Sequence, residues 1–575
     1  MTARARRGVR WGIVFGAGAA VAGAQTAAVT VPCRGQRVDS IHIYSQAPTV
    51  TGVRSVPVVA EVVRAVHVTT RETVIERFLL LHVGDACSER RRAESERVLR
   101  AQPFLADATV QVVRSGSGGV NLEVNTVDEV AAVFSATLKP KAPVFTGLRL
   151  GDANVSGGGV YAAGMWWHER ALRDGYAARV TDYQFLGQPV QATALAARNP
   201  LGGEYHLDVQ RPFLTDLQRV AWRAQQGEAD DYVRFVDAAG GIHADRLTRA
   251  YTDVGGLTRI GPPGRLALVG LSVSHESESA SNAPIVISDE GTAPDSSGPW
   301  AAGFASHSVS RVNALLGYRN LRFVRATGFD ALQHTQDIPV GIQIGGLIGK
   351  SAPLGDRVTD RDMLFGADAY AGAASSRSAL RFQAMGEVRR VLDSASWDGL
   401  LGSGRVAEYQ KIGMSQTAMA SVEWSGGWRA RVPCRVTLAG VDGGVRGMPE
   451  GVEQGARRGI MRLEDRFDMR SPFGETADFA LAVFADAGRL WAGDAPFGTT
   501  TPMRYSAGFS LLTAFPARSA QMWRLDVAFP NVPGRGVRLA LRLTHTDATS
   551  VFWREPADVA VARERSVPAS LFNWP

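Results

Sequence analysis

Three cysteines, the His275-Glu276 pair and one charged strand are places where side-chain type and spacing could do chemistry in this 575-residue chain. Cys33, Cys87 and Cys434 fit neither a zinc-ligand spacing nor a CxxC redox motif. Cys33 and Cys87 are candidates for a disulfide, a bond that persists in oxidising compartments, with two separate thiols as the alternative. Cys434 falls in a predicted strand and reads as a small packing residue. His275-Glu276 stands in a Ser-rich stretch with no second histidine at ligand spacing, so both read as polar loop residues rather than a metal site. Arg462, Glu464 and Arg466 share one face of a strand predicted over Met461 to Phe467, where a ladder of charges is preferred to an acid–base pair. No GxSxG, GxxxxGK[ST] or HExxH occurs. The chain does not read as an enzyme, and no cofactor or metal is expected.

The elements that must position these residues fall into two parts behind an export signal. Arg4, Arg6, Arg7 and Arg10 precede a short apolar stretch, Trp11 to Val21, and a small-residue site at Ala22-Gly23-Ala24, so residues 1–24 read as a cleaved signal peptide. Its four arginines carry more than half of the net charge of +7, leaving +3, and no clustered basic face remains to suggest nucleic acid. Residues 25–60 form a lead-in with one strand, Ile41 to Tyr44. Residues 61–130 then read strand, helix, helix, strand, strand. Val62, Arg64, Val66 and Val68 alternate as a strand. Thr70 precedes a helix with an apolar face of Val74, Ile75, Phe78, Leu79 and Leu81, and Ser88 precedes a second, highly charged helix. Ala108 to Val113 and Val120 to Val127 flank the turn SGSGG as a hairpin.

From residue 131 to 555 the pattern is strand after strand. Tyr505, Ala507, Phe509 and Leu511 alternate with Ser506, Gly508 and Ser510. Leu525, Val527 and Phe529 alternate with Arg524, Asp526 and Ala528, and Leu539, Leu541 and Leu543 with Ala540, Arg542 and Thr544. No helix or second sheet is available to cover the apolar face, and an open sheet in lipid would leave backbone groups unpaired. The expected fold class is therefore a membrane β-barrel with its apolar face outward, behind a small α+β domain. At ~25 to 28 residues per strand and connection, the barrel should have roughly 16 antiparallel strands. Glu276 to Pro299 is the best candidate for a long polar outer loop. Residues 556–575 are left as a C-terminal tail of undefined role.

Several segments carry a resemblance. "VHVTTRETVIERFLLLHVGDACSERRRAESERVLRAQPFLADATVQV" is similar to a POTRA domain, a periplasmic module of outer-membrane assembly and secretion proteins. "LRLGDANVSGGGV" resembles the first-strand signature of the BamA/TamA superfamily. Val445-Arg446-Gly447-Met448 resembles its VRG(F/Y) loop motif, with Met448 where an aromatic is usual. Phe484-Ala485-Asp486-Ala487-Gly488 resembles its FxDxG strand motif. The resemblance implies that the Val445–Met448 loop folds into the lumen and that Arg446 meets an acid on the inner wall. Strand parity supplies that acid independently. Phe479, Leu481 and Val483 point outward, so Phe484 and Asp486 point inward. An arginine fork suits a carboxylate held in fixed geometry.

The resemblance also implies a function in the cell outer membrane, with the N-terminal domain in the periplasm. Unfolded outer-membrane or secreted polypeptide would pair with an exposed edge of the POTRA sheet and pass to the barrel, with outer-membrane lipid and periplasmic assembly proteins as further partners. Dedicated two-partner secretion transporters usually carry two POTRA units and an N-terminal plugging helix. Neither is visible here, which favours an accessory assembly or insertion factor. A secretion pore, or a surface antigen or passive channel without a client, are the alternatives.

Overall fold

The computed structural model describes residues 30–48, 68–138, 145–169, 172–354, 360–440, 443–451, 453–469, 476–547 and 553–563. The expected signal segment, and Val62, Arg64 and Val66 of the expected strand, lie outside the described residues.

The N-terminal domain is a four-stranded sheet in the order Ala86–Ser88, Arg34–Gln46, Val120–Asp128, Leu105–Arg114, with two helices, Glu72–Glu76 and Glu89–Arg100. Arg34–Gln46 contains the expected strand Ile41 to Tyr44. It does not stand in a separate lead-in, because it pairs in parallel with Val120–Asp128 and so belongs to the same sheet. The first helix is one turn long and its N-cap is Arg71 rather than Thr70, while Ser88 stands at the N-cap of the second helix without a side-chain capping bond. Thr70 instead lends its N–H to Asp128, 2.7 Å away. Val74, Ile75, Phe78, Val98 and Leu99 bury against Phe104, Val110 and Val124 of the sheet. Cys33 and Cys87 are bonded, with Cα atoms 5.2 Å apart, inside a second apolar cluster that includes Val38 and Leu122.

Among the described residues, twenty antiparallel strands from Ala132–Leu138 to Ala540–Asp547 form one sheet that closes with its last strand beside its first. Twenty replaces the expected sixteen. Each strand with its connection takes about 21 residues, because tight turns such as Gly261–Gly264, Ser375–Arg377 and Gly413–Ser415 use fewer residues than assumed. Leu481, Val483, Tyr505, Phe509, Leu525, Leu541 and Leu543 are exposed on the outer face, while Asp486, Ser510 and Asp526 are buried inward. The alternation seen in the sequence is thus the wall of the barrel.

Three placements differ from expectation. Glu276 is no loop residue. It lies in the strand Arg265–Ala280, points into the lumen and pairs with Arg249; beyond Ala280 the chain forms the small hairpin Ile285–Ser288 and Gly291–Pro294, whose first strand pairs with Ile242–Ile260 of the wall. The polar Ser and Glu residues there alternate, and inward polar positions look the same as a loop in composition. Cys434 lies in the connection after the strand Gln416–Trp428, not in a strand, and is buried against Leu401 and Val436. The last described wall strand ends at Asp547, and residues 553–555, expected within the wall, are not in a strand.

The domain docks on one mouth of the barrel through several hairpin turns. Asn154 donates to Thr70 Oγ1 (2.7 Å), Gln184 to the Val74 carbonyl (2.6 Å), and Arg97 to the Leu214 carbonyl (2.7 Å). Arg100 reaches Asp337 at 2.6 Å, and Ser519 donates to Glu129 at 2.6 Å. Gly157, at φ +68°, admits the closest approach: a Cβ there would meet the Thr69 carbonyl at 2.2 Å.

Two outcomes are expected. Val483→Arg, placing a charge on the outward face, should cost ~2 to 4 kcal/mol of barrel stability in a bilayer, read as a loss of heat-modifiable electrophoretic mobility. The lumen-facing Ser510→Arg would answer to different neighbours and serves as no substitute. Removal of the disulfide by Cys33→Ser with Cys87→Ser should cost the domain ~2 to 5 kcal/mol, and protease should then cut within residues 30–128 of the folded protein faster than in wild type.

Candidate functional site: a loop clamp in the lumen

The connection between the strands Gln416–Trp428 and Arg457–Met469 turns back into the lumen. Its short ladder, Val436–Thr437 against Gln454–Gly455, and the bonds from Val445 N–H to the Leu438 carbonyl (3.0 Å) and Gly440 N–H to the Met448 carbonyl (3.0 Å) shape a compact tongue. Leu438, Val445 and Met448 bury in one cluster with Ile460 and Leu490 of the wall. Met448 therefore fills the place of an aromatic as an ordinary core residue.

Arg446 is the point of attachment. Its Nε and Nη2 donate to Asp486 at 2.8 and 2.6 Å, its backbone N–H adds a third bond at 3.1 Å, and its Nη1 donates to Glu464 at 2.8 Å. The guanidinium lies over the Phe484 ring, 3.7 Å from its centroid. A planar fork with five donors can serve two carboxylates and a ring face together, which an ammonium cannot.

The glycines of both motif segments are explained by contact. Gly447 has φ +78°, and a Cβ there would meet Ala528 Cβ at 2.8 Å and Ala540 Cβ at 3.0 Å, so only glycine lets the tongue lie this close to the wall. Gly488 makes room of the same kind, since its Cβ would meet Ile460 at 2.7 Å and Val445 at 2.8 Å.

Glu464 is the hub of a wider network. Besides Arg446 it accepts from Arg524 (2.7 Å) and Arg466 (3.2 Å). Arg524 also donates to Asp526 at 2.7 Å and Ser510 Oγ at 2.7 Å. Three arginines thus meet the three carboxylates of Glu464, Asp486 and Asp526, which balances charge within a site where solvent is scarce. Arg462 stands apart from this network. It pairs with Glu423 and holds the tongue by donating to the Gly443 and Gly444 carbonyls, while Arg542 donates to that of Gly440.

The sequence-derived residues Arg446, Phe484, Asp486, Glu464 and Arg466 come together; Arg462 joins from the side. Arg524, Asp526, Ser510 and Arg542 were not singled out beforehand, although the parity of their strands already put them on the polar face. Nothing in the sequence told which of many inward charges would be neighbours.

No family model matches the chain, and no curated protein does. Solved structures that resemble it include BamA from Haemophilus ducreyi lacking POTRA domains 1–3, at 11% identity over 89% of this chain and 85% of that one, with a TM-score of 0.38. CdiB from Escherichia coli follows at 11% identity, 92% of both chains and 0.35, and CdiB from Acinetobacter baumannii at 10%, 89% and 73%, and 0.38.

Arg446→Ala and Asp486→Ala should each destabilise the folded barrel by ~3 to 5 kcal/mol, because each strands a buried charge. The double variant should lose less than the sum, as coupled sites do. Arg446→Lys keeps the charge and loses the fork, so it should fall between Ala and wild type in denaturant titrations followed by electrophoretic mobility. Additive losses, or a lysine as good as arginine, would remove the case for a geometric clamp.

Proposed function

We propose that this chain is an outer-membrane protein of the BamA/TamA type: an accessory assembly or insertion factor with a POTRA-like domain in the periplasm. Unfolded exported polypeptide is received on the domain side and passed to the barrel. The observation that carries this reading is the clamp. Each residue of Val445–Met448, and each of Phe484, Asp486 and Gly488, has a defined contact in one site, as the motif resemblance implies. The belt of exposed apolar side chains round a closed sheet supports the membrane setting.

One expectation needs correction within this reading. The edge strand Leu105–Arg114 is not bare. Arg100 donates to the Ala108 carbonyl, Arg92 to the Val110 carbonyl, Glu96 accepts from the Val110 N–H, and Val31 donates to the Val112 carbonyl. Covering an edge in this way is a common defence against unwanted pairing. Val120–Asp128 is an interior strand, paired on both sides. A client strand must therefore displace side chains to pair here.

Depletion of the protein in its native cell, followed by quantitation of outer-membrane proteins, tests the proposal. Loss of a defined subset of barrels from the membrane is the expected result. An unchanged outer membrane with one missing secreted protein would transfer the assignment to a secretion pore, and no change in either would leave only the passive channel or antigen.

A further inference from the structure

The chain does not end where its sheet does. The turn before the strand Gln521–Val532 touches the N-terminal domain through Ser519, so the final strand Ala540–Asp547 runs back toward that same mouth. The next described residues, Trp553–Arg563, lie inside the lumen. Trp553 is buried with Phe329, Ile338 and Tyr409. Ala557–Ala562 forms a helical turn and a half. Asp558 accepts from Arg458 at 2.8 and 3.1 Å, and Arg563 donates to Glu387 at 3.1 Å and to Glu555 at 2.8 Å. Val559 is fully buried against the tongue, in the cluster of Cys434, Val436 and Leu438. From the facing wall Arg249 donates to the carbonyls of Val561 (2.8 Å) and Arg563 (2.7 Å).

Arg249, Glu387 and Arg458 belong to the eighth, thirteenth and sixteenth of the twenty strands. A segment held by three such separated arcs of wall crosses the lumen. A cavity of about 340 Å³, lined by Arg249, Glu387, Arg431, Asp558 and Ala562 among others, lies against it.

We propose that Trp553–Arg563 is a resident stopper of the lumen, docked in a berth formed by Arg249, Glu387, Arg458 and Ser403, whose hydroxyl donates to Glu555, and that the lumen opens when it undocks. This rests on the reading of the chain as a membrane barrel. Two physical differences separate the segment from the tongue. The tongue joins two wall strands at both ends, so it cannot leave the barrel. Among the described residues no wall strand follows Trp553–Arg563, and its six helical residues have little stability away from the wall. Undocking also strands no dry charge, because Arg458, Glu387 and Arg249 would face a lumen that water then enters. That makes release cheaper than breaking a buried pair such as Arg446–Asp486.

The experiment is conductance of the full-length protein in planar lipid bilayers. Asp558→Arg and Arg458→Asp should each raise mean conductance several-fold over wild type, and the double swap should return it toward the wild-type level. Cys434 is the one free cysteine, so Val559→Cys offers it a partner in the same cluster. Oxidation should form that crosslink and hold conductance at the closed level. Heat-modifiable mobility measured alongside separates a failed stopper from a failed barrel. Folded single variants with wild-type conductance, a double swap that stays open, or a folded Val559→Cys protein that forms no crosslink would each overturn the proposal. If the charge variants do not fold, the crosslink alone decides.

Discussion

Closing a β-sheet with apolar side chains outward turns most charges of the wall strands toward the lumen. At each outward Leu or Val the neighbouring residue points into the lumen, so Asp486, Glu464, Arg466, Arg524 and Asp526 are crowded into a common interior by the period of the strand alone. In such an interior an unpaired charge is expensive and a paired one is tolerable only with good geometry. Much of the lumen answers by pairing. Arg311 meets Asp362 at 2.6 Å, Arg381 meets Asp330, and the Glu464 hub balances three arginines. The interior is a lattice of ion pairs because the exterior is apolar.

That lattice supplies attachment points for the two segments that enter it, and their chemistry differs. The tongue brings one arginine to two carboxylates and an aromatic face, and glycines at 447 and 488 let backbone and wall meet at distances no other residue allows. The terminal segment brings Asp558 to Arg458, Arg563 to Glu387 and Glu555 to Ser403, and offers backbone carbonyls to Arg249. A contact through backbone carbonyls asks little of the sequence that occupies it, whereas Arg446 satisfies an address written in several side chains at once.

How far the sequence reveals this depends on the range of the interaction concerned. Alternation is local, so the last strands, the inward direction of Asp486 and the outward face of Leu541 are legible from a few residues. The tongue is legible only through its motif resemblance, since nothing near Val445–Met448 points to a wall strand forty residues away. The strand number was missed because it depends on turn lengths, and Glu276 because an inward row of Ser and Glu has the composition of a loop. Arg249 and Val561 are more than three hundred residues apart, joined by the curvature of twenty strands. No periodicity records such a pair.

The N-terminal domain shows what the same arginine-rich chemistry does outside the barrel. Arg100 donates at once to Glu96 (2.6 Å), to the Ala108 carbonyl on the sheet edge, and to Asp337 on the barrel (2.6 Å). Burial alone would raise the pKa of the Glu96 carboxyl, but Arg100, the Val110 N–H and Arg325 together draw it below the ordinary range, so it stays ionised and holds the arginines in place. One guanidinium therefore covers the edge and fastens the domain. On the proposed function, a polypeptide that pairs with Leu105–Arg114 must take the Ala108 carbonyl and the Val110 N–H for itself. It thereby removes contacts that orient Arg100 and Glu96, and with them part of the bond to Asp337. Client pairing and domain docking then draw on the same side chains. Such a link needs no conformational relay through the core, since the competition takes place at one arginine and one glutamate on the helix Glu89–Arg100.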